Sequence, residues 1–233
     1  MVNAVILAGG FGTRLREAVP NTPKPMAPVR NRPFLEHLMD YWIAQGVTSF
    51  TLSVGYMKEV FIQHLGDAYK NVPISYAVEE KPLGTGGGLI FAAARFKETF
   101  LVLNGDTYCE VNLTALEAFH REHESHWTFT LFRSNKVGRY MGVNLIEGGQ
   151  IESLQSGKCE LGDLANGGVY LINPSALGHT RNDTVLERKS LEVDLVTEFV
   201  ERGGKLYGFE TSGRFIDIGV PEDYYRASDV LPL

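Results

Sequence analysis

The sequence has few cysteines and no long hydrophobic run, and each absence excludes a class of protein. Its 233 residues include two cysteines, Cys109 and Cys159, too few for the disulfide framework of a small secreted domain, so we expect a reduced intracellular protein. No apolar stretch approaches the roughly 18 residues of a membrane-spanning helix. The first apolar run, in MVNAVILAGG, lacks the basic flank and the cleavage site of a signal peptide. We therefore expect a cytoplasmic protein that does not bind a membrane.

The sequence also lacks an excess of basic residues. It has 22 Lys and Arg against 28 Asp and Glu, and its formal net charge is −6. Binding along a nucleic-acid backbone requires many clustered cationic contacts with phosphates. We therefore exclude nucleic acid as a partner and expect that any bound phosphate belongs to a small molecule held at a local site.

The length and the hydrophobic pattern favour one α/β domain over residues 1–233. With 44% hydrophobic residues, the chain can bury a full core without dividing. Runs of strand type alternate with helical spacing, which is typical of a wound sheet with helices on its faces. The predicted strands are 4–7, 50–54, 74–78, 100–103, 129–132 and 169–172, and the predicted helices are 34–45, 89–96, 113–123 and 191–201. From 127 to 143, short strands separated by glycines predict a small inserted β meander beside a Rossmann-like mixed sheet.

Residues 5–15, VILAGGFGTRL, combine a buried strand with a glycine-rich turn. The turn has Leu15 where a dinucleotide fingerprint needs its third glycine, and it lacks the Gly-Lys-Ser/Thr of a P-loop. Glycines let backbone N–H groups approach phosphate oxygens, and the guanidinium of Arg14 can bind two of them. Glycines alone are equally typical of a plain tight turn, but the addition of Thr13 and Arg14 favours an anion site.

A lysine follows in PKPMAP, where Lys24 stands between two prolines that restrict its backbone. Together, LAGGFGTRL and PKPMAP resemble the signature of the sugar-1-phosphate nucleotidylyltransferase family, and the resemblance covers essentially the whole chain. It implies catalytic roles for Arg14, on the β- and γ-phosphates of a nucleoside triphosphate, and for Lys24, on the α-phosphate. It also implies that the nucleotide is bound by Leu7, Ala8, Gly9, Gly10, Gly12 and Thr13.

The stretch EEKPLGTGG at 79–87 leaves a predicted strand and opens a helix, where backbone N–H groups are free. In the resembled family this turn faces the nucleobase, so the expected contacts are Glu79, Gly84 and Thr85. A related thymidylyltransferase pattern has Gln where this sequence has Glu79. A carboxylate there can accept from N1–H and the 2-amino group of guanine, which favours GTP. Glu80 is the alternative contact, and both acids are also compatible with solvated charges at a strand end.

Two apolar strands end in a carboxylate, Asp106 in LVLNGD and Asp217 in RFIDIG. A lone Asp after a strand usually caps a turn. In the resembled family, however, both motifs carry metal carboxylates. Because phosphate oxygens and water can complete the shell of Mg²⁺, two carboxylates suffice. The resemblance therefore implies that Asp106 and Asp217 bind Mg²⁺ as a cofactor.

The resemblance also implies a sugar-phosphate site. ANGGVY at 165–170 resembles the family's N-x-G-x-Y strand, and SLE at 190–192 resembles the turn whose carboxylate accepts sugar hydroxyls. The expected contacts are Asn104, Gly142, Asn166, Gly168 and Glu192. Many relatives have Glu-Lys-Pro after the strand at 151–154, whereas this chain has Gln155-Ser156-Gly157-Lys158. Whether Lys158 replaces that lysine at the sugar phosphate is left open.

The implied reaction is an in-line attack of a sugar 1-phosphate on the α-phosphorus of a nucleoside triphosphate, with release of pyrophosphate. Because the attacking phosphate is already ionised at neutral pH, neither a general base nor a covalent intermediate is expected. In PKPMAP, PFLE, PLGTGG and LNGDT the resemblance is nearest to the heptose-1-phosphate guanylyltransferases of bacterial surface-glycan synthesis. It implies GTP and D-glycero-α-D-manno-heptose 1-phosphate as partners. Open alternatives are guanylyl- or uridylyltransferases acting on mannose-, glucose- or N-acetylmuramate 1-phosphate, and a non-catalytic nucleotide-sugar sensor. A homo-oligomer is also left open.

Overall fold

The computed structural model describes residues 2–178 and 187–232, along which strands and helices alternate. The strands are β1 (Val2–Leu7), β2 (Pro28–Val29), β3 (Arg32–Pro33), β4 (Val47–Val54), β5 (Ala68–Tyr69), β6 (Val72–Val78), β7 (Phe100–Asn104), β8 (Thr107–Cys109), β9 (Trp127–Arg133), β10 (Met141–Leu145), β11 (Ile151–Ser156), β12 (Leu164–Ile172), β13 (Leu206–Glu210) and β14 (Phe215–Asp217). The helices are α1 (Phe34–Ala44), α2 (Lys58–Leu65), α3 (Gly84–Ala92), α4 (Leu113–Glu122), α5 (Val196–Glu201) and α6 (Pro221–Val230). Single 3₁₀ turns cover Thr13–Leu15, Lys24–Met26, Glu147–Gly149 and Pro174–Leu177, and a π-helical turn covers Leu191–Leu195.

A mixed sheet forms the centre of the protein. Its strands follow the order β11-β10-β12-β7-β1-β4-β6-β5, and β9 pairs with both β12 and β13. The run β7, β1, β4 and β6 is parallel, whereas β12 is antiparallel to β7. The arrangement confirms the predicted α/β fold. Because the parallel strands end at one edge, ligands are expected there, outside their carboxyl ends.

The two faces of the sheet carry separate hydrophobic clusters. Side chains alternate along β1, so that Ala4 and Ile6 join one cluster and Val5 joins the other. On the first face, α1 buries Leu35, Leu38 and Trp42 at helical spacing. On the second face, α3, α5 and the π-helical turn contribute their apolar side chains. The parallel strands are thus packed on both faces.

The strands predicted as a meander beside the main sheet are part of it. β10 and β11 form an antiparallel hairpin that extends the sheet from β12, and β9 lies between β12 and β13. The glycines between these strands indicate where the strands end. Their pairing partners depend on contacts with β12, which the local pattern does not contain.

Two helix predictions differ from the structure at their starts. α3 begins at Gly84, five residues before the predicted 89–96, and its first turns lie against the backbone of 187–190. A Cβ added to Gly86 would lie 2.8 Å from the carbonyl oxygen of Ser190, and one added to Gly87 would lie 2.6 Å from that of Glu187. Glycine is therefore required for this close approach. The predicted helix 191–201 starts as the π-helical turn and continues as α5.

Among the described residues, the helices are too short and too polar for any of them to cross a membrane.

Candidate active site

A cavity of about 320 Å³ opens at the carboxyl edge of the parallel strands. It reaches Leu7 at the end of β1, Ser53 near the end of β4 and Asn104 at the end of β7. The structure brings most of the predicted nucleotide and charge residues to this cavity, namely Leu7, Ala8, Gly9, Gly10, Gly12, Lys24, Glu79, Gly84, Thr85, Asn104 and Asp106. They come from distant parts of the chain because the parallel strands end side by side.

The glycine-rich turn forms one wall of the cavity and holds Lys24 against it. Gly12 has a left-handed backbone (φ +58°), and a Cβ there would lie 3.3 Å from the Cβ of Lys24. Lys24 opens a 3₁₀ turn in which the amide of Met26 donates to the carbonyl of Pro23 at 2.8 Å. Glycine at 12 thus allows the turn and the lysine to pack together.

Thr13 and Arg14 lie directly after this wall. Both side chains are exposed on the 3₁₀ turn Thr13–Leu15 and lie outside the lining of the cavity. The turn is anchored by Leu15, which is buried in the core. The structure places Arg14 at the rim, and its predicted contact with the β- and γ-phosphates stays a prediction.

Lys24 forms an ion pair across the cavity with the first of the predicted metal acids. Its Nζ lies 2.6 Å from Oδ2 of Asp106, and the two side chains are 15% and 28% exposed. Asp106 follows β7, and the amide of Gly105 donates to the carbonyl of Leu7 at 3.0 Å. The pair therefore sits at the end of β1 and β7, beside the glycine-rich turn.

Asp217 lies next to Asp106 because two short strands pair. β14 runs antiparallel to β8 with Asp217 opposite Thr107, and the amide of Ile218 donates to the carbonyl of Asp106 at 3.0 Å. Burial raises the pKa of the Asp217 carboxyl above its usual range, and the negative charge of Asp106 raises it further. Two carboxylates that repel each other in a partly buried site attract a cation between them.

The donor set suits a metal ion that is shared with a phosphate ligand. Within 2–178 and 187–232, no group of three or more His, Cys, Asp or Glu side chains is arranged to hold a metal ion. The two neighbouring aspartates offer hard oxygen ligands, and Asp106 faces the cavity. Mg²⁺ commonly binds through one or two carboxylates plus phosphate oxygens and water. The residues present therefore fit magnesium bound together with a triphosphate.

Glu79 lies in the cavity, and its carboxylate is held from two sides. Oε1 accepts from the hydroxyl of Ser53 at 2.8 Å, and Oε2 accepts from the amide of Leu83 at 2.9 Å. A Cβ on Gly9 or Gly88 would approach Oε1 to 2.8 or 2.7 Å, so both glycines leave room for this carboxylate. Each oxygen keeps a further lone pair for a ligand. The alternative acid, Glu80, is exposed and lies outside the cavity lining.

The predicted sugar residues, apart from Gly142, gather around the buried hydroxyl of Tyr170. The side-chain amide of Asn166 donates to this hydroxyl at 2.8 Å, and the hydroxyl donates to Oε1 of Glu192 at 3.0 Å. A bulge in β12 gives Gly168 a left-handed backbone (φ +69°), and a Cβ there would lie 2.9 Å from Nδ2 of Asn104. The structure therefore places Asn104, Asn166, Gly168 and Glu192 in one polar cluster.

Burial and the charge of Glu192 raise the pKa of Tyr170 well above its usual value. The hydroxyl is thus a permanent donor, and it orients the Glu192 carboxylate. Thr85 links this cluster to the nucleotide side, because its hydroxyl accepts from the amide of Leu191 at 2.8 Å.

Gly142 and Lys158 lie elsewhere. Gly142 is on β10 opposite Gln155, and together with the exposed Lys158 it lines a second cavity. The structure does not bring either residue to the cavity that contains Asp106. The sugar-phosphate contact of Lys158 is therefore not favoured by its position, and that of Gly142 stays a prediction.

Two arginines at the site were not predicted from the sequence. Arg139 Nη2 lies 2.8 Å from Oδ2 of Asp217, and Arg188 lines the nucleotide cavity. Arg139 lies three residues before Gly142, and Arg188 lies two residues before the SLE turn, both of which the resemblance assigns to the sugar-phosphate site. The sequence signal that could have predicted these two arginines is a basic residue close to a motif of the sugar-phosphate site.

Comparisons with known proteins agree with the geometry. A family model described as Nucleotidyl transferase matches residues 3–232. The D-glycero-alpha-D-manno-heptose 1-phosphate guanylyltransferase of Aneurinibacillus thermoaerophilus is 36% identical over 232 residues, which cover 99% of this chain and 98% of that protein. The mannose-1-phosphate guanyltransferase of Schizosaccharomyces pombe is 35% identical over 234 residues, which cover 96% of this chain and 62% of that protein. The solved structure of HddC from Yersinia pseudotuberculosis complexed with GMP-PN superimposes with a TM-score of 0.85 at 32% identity, covering 98% of this chain and 99% of that chain.

Proposed function

The chain belongs to the nucleotidyl transferase family, as its signature motifs predicted, and from that premise we propose that it is a sugar-1-phosphate guanylyltransferase. It transfers GMP from GTP to a sugar 1-phosphate, with D-glycero-α-D-manno-heptose 1-phosphate as the favoured acceptor, and releases pyrophosphate. The relatives that are similar over nearly their whole length support this choice. The product is an activated sugar of the kind that surface-glycan synthesis consumes.

The observation that carries the proposal is the arrangement of charge beside the glycine-rich turn. Lys24 and Asp106 form a 2.6 Å ion pair at the cavity, and Asp217 is the neighbour of Asp106. A triphosphate in the cavity would meet backbone N–H groups from the turn and the ammonium of Lys24. This combination binds phosphates and supports phosphoryl-type transfer.

The chain's own residues act by positioning and by charge. The glycine-rich turn and α3 hold the nucleotide so that its α-phosphorus faces the sugar side, where Tyr170 and Glu192 orient the acceptor. Lys24 stabilises negative charge that develops on the α-phosphate, and Arg14 at the rim binds the leaving pyrophosphate. Asp106 and Asp217 would hold Mg²⁺, which when bound neutralises phosphate charge. The acceptor phosphate is the nucleophile, so no side chain has to remove a proton.

Replacing Glu79 by Gln tests the choice of base. We expect kcat/KM for GTP to fall on the order of 10- to 100-fold, because the amide NH₂ of Gln cannot accept from the guanine donors. The value for UTP should change little, so that the GTP-to-UTP ratio falls. The matched control is Glu80→Gln, which changes an exposed acid outside the cavity. An unchanged ratio in Glu79→Gln would show that another group selects the base.

Replacing Tyr170 by Phe tests the sugar cluster. The change removes the hydroxyl that joins Asn166 to Glu192, so Glu192 loses its orientation. We expect the KM for the sugar 1-phosphate to rise about tenfold and the KM for GTP to stay constant. Steady-state kinetics with each substrate varied in turn measures both. Tyr76→Phe is the control, because its hydroxyl donates to the carbonyl of Gly66 away from the site. An equal rise in both KM values would contradict the assignment.

The same site is also compatible with other acceptors. The similarity to a mannose-1-phosphate guanyltransferase favours mannose 1-phosphate as the second candidate. A pyrophosphate-release assay separates the candidates when it covers the four nucleoside triphosphates with heptose, mannose, glucose and N-acetylmuramate 1-phosphates. Tight nucleotide binding without pyrophosphate release from any pair, with magnesium supplied, would instead indicate a non-catalytic sensor.

A further inference from the structure

Each of the two acids assigned to the metal already has a cationic side chain as its partner. Lys24 pairs with Asp106 at 2.6 Å, and Arg139 Nη2 pairs with Oδ2 of Asp217 at 2.8 Å. Lys24 has a role at the α-phosphate in the proposed reaction. Arg139, whose side chain is 16% exposed, has none. Its contact occupies Oδ2 of Asp217, and Oδ1 accepts from the amide of Gly219 at 2.6 Å, so a metal ion at this carboxylate has to compete with an existing partner.

Arg139 is positioned to leave Asp217 without becoming an unpaired buried charge. Its Nε lies 3.4 Å from Oδ2 of Asp223, a fully buried carboxylate at the start of α6. Lys136 and Arg226 contact the other oxygen of Asp223, at 2.8 and 3.2 Å. Asp223 is therefore a permanent anchor for Arg139, whereas Asp217 is its second partner. A guanidinium can bridge two carboxylates because its donors point in different directions.

We propose that Arg139 is the exchangeable counter-ion of Asp217, so that a divalent cation binds the two aspartates only by displacing Arg139 toward Asp223. This inference rests on the proposed function and extends it to a residue that the reaction did not yet include. In the free protein Arg139 keeps the neighbouring acids from repelling each other. The exchange makes the aspartates a weak site for a free cation and reserves them for a cation that arrives with a triphosphate, whose oxygens add ligands.

The test measures metal affinity without any substrate, by titrating the nucleotide-free protein with Mn²⁺ and following the free ion by electron paramagnetic resonance. We expect Arg139→Gln to bind Mn²⁺ about tenfold more tightly than the parent protein, because the competing ion pair is gone. A residue with a merely structural role would leave the affinity unchanged or weaken it when replaced. An affinity in Arg139→Gln equal to or weaker than that of the parent would overturn the inference.

Two further variants make the result specific. Lys136→Gln removes a cation that contacts Asp223 and Glu222 rather than Asp217, and we expect it to change Mn²⁺ affinity less than about threefold. In an Asp217→Asn background, Arg139→Gln should not increase Mn²⁺ affinity, because the carboxylate for which Arg139 and the cation compete is already absent. An increase in affinity that persists in that background, or an equal increase in Lys136→Gln, would indicate a general effect of net charge. Either result would overturn the inference.

A conservative variant keeps the test interpretable if Arg139→Gln is destabilised. Should Arg139→Gln melt well below the parent protein, Arg139→Lys keeps the charge. A lysine has one ammonium in place of the separate Nη2 and Nε donors that contact Asp217 and Asp223, so the pair with Asp217 weakens and Mn²⁺ should still bind more tightly than in the parent. Equal affinity of Arg139→Lys and the parent would overturn the inference. The guanylyltransferase proposal is judged separately by pyrophosphate release from the parent protein, so either idea can fail while the other stands.

Discussion

Replacing Asp106 by Asn is expected to lower turnover about a thousandfold, a loss of about 4 kcal/mol in transition-state stabilisation. Asp106 contacts Lys24 and neighbours Asp217, so the change removes one of the two carboxylates proposed to hold Mg²⁺ and, at once, the counter-ion of the lysine. Asn has the same shape and the carboxylate is partly exposed, so the fold and its melting temperature should change little. Pyrophosphate release with saturating substrates measures the effect.

The matched control for this variant is Asp163→Asn. Asp163 is exposed, its carboxylate accepts from the amide of Glu160, and it lies outside the cavity that contains Asp106. Its turnover should stay within about twofold of the parent, as is usual for a surface change away from the site. If Asp106→Asn keeps its turnover within tenfold of the parent and its melting temperature is unchanged, the proposed role of Asp106 in the reaction is wrong.

Local signals in the sequence were sufficient to predict β1 and the glycine-rich turn, which form one wall of the cavity. The apolar run of β1 and the glycines that follow it predict a strand and a turn at the carboxyl edge, and the structure has both. The alternation of strand and helix patterns likewise predicts the mixed α/β fold. These features depend on periodicity and on glycine geometry, which a single stretch of chain contains.

The neighbourhood of Asp106 and Asp217 is different, because it depends on a pairing between distant short strands. β8 and β14 are each three residues long, and although the pattern of RFIDIG predicts a strand, nothing in the local pattern identifies β8 as its partner. Only the family resemblance placed both acids in one site, and the structure shows how the antiparallel register does so. Arg139 was missed for the same reason, since both of its carboxylate partners lie far along the chain.

The start of α3 shows how a tertiary contact can reverse a local preference. Several glycines near the start of a helix weaken it, and the sequence predicted a helix over 89–96 that the turn at 79–87 opens. In the structure those glycines allow the backbone of 187–190 to pack directly on the helix, and the amide of Gly86 donates to the carbonyl of Lys189 at 2.8 Å. The contact that selects glycine lies a hundred residues away and leaves no trace in the local pattern.

Replacing Lys24 by Ala is expected to lower turnover by about three orders of magnitude, because the ammonium is the cation that the cavity holds closest to Asp106. The KM for GTP should change less than kcat, since the charge is needed most when the α-phosphate gains negative charge in the transition state. Lys24→Arg is the control for charge alone. We expect it to recover little activity, because a planar guanidinium on a longer side chain does not reproduce the compact ammonium that lies 2.6 Å from Asp106.

Combining Lys24→Ala with Asp106→Asn decides whether the two residues act as one unit. If their 2.6 Å ion pair aligns both groups on the same phosphate, the first change already disorders the second group. The double variant should then lose much less than the product of the two single losses, as is usual for residues in direct contact. A fully multiplicative loss would instead mean that Lys24 and Asp106 stabilise different charges, with Lys24 contacting the nucleotide independently of the two aspartates.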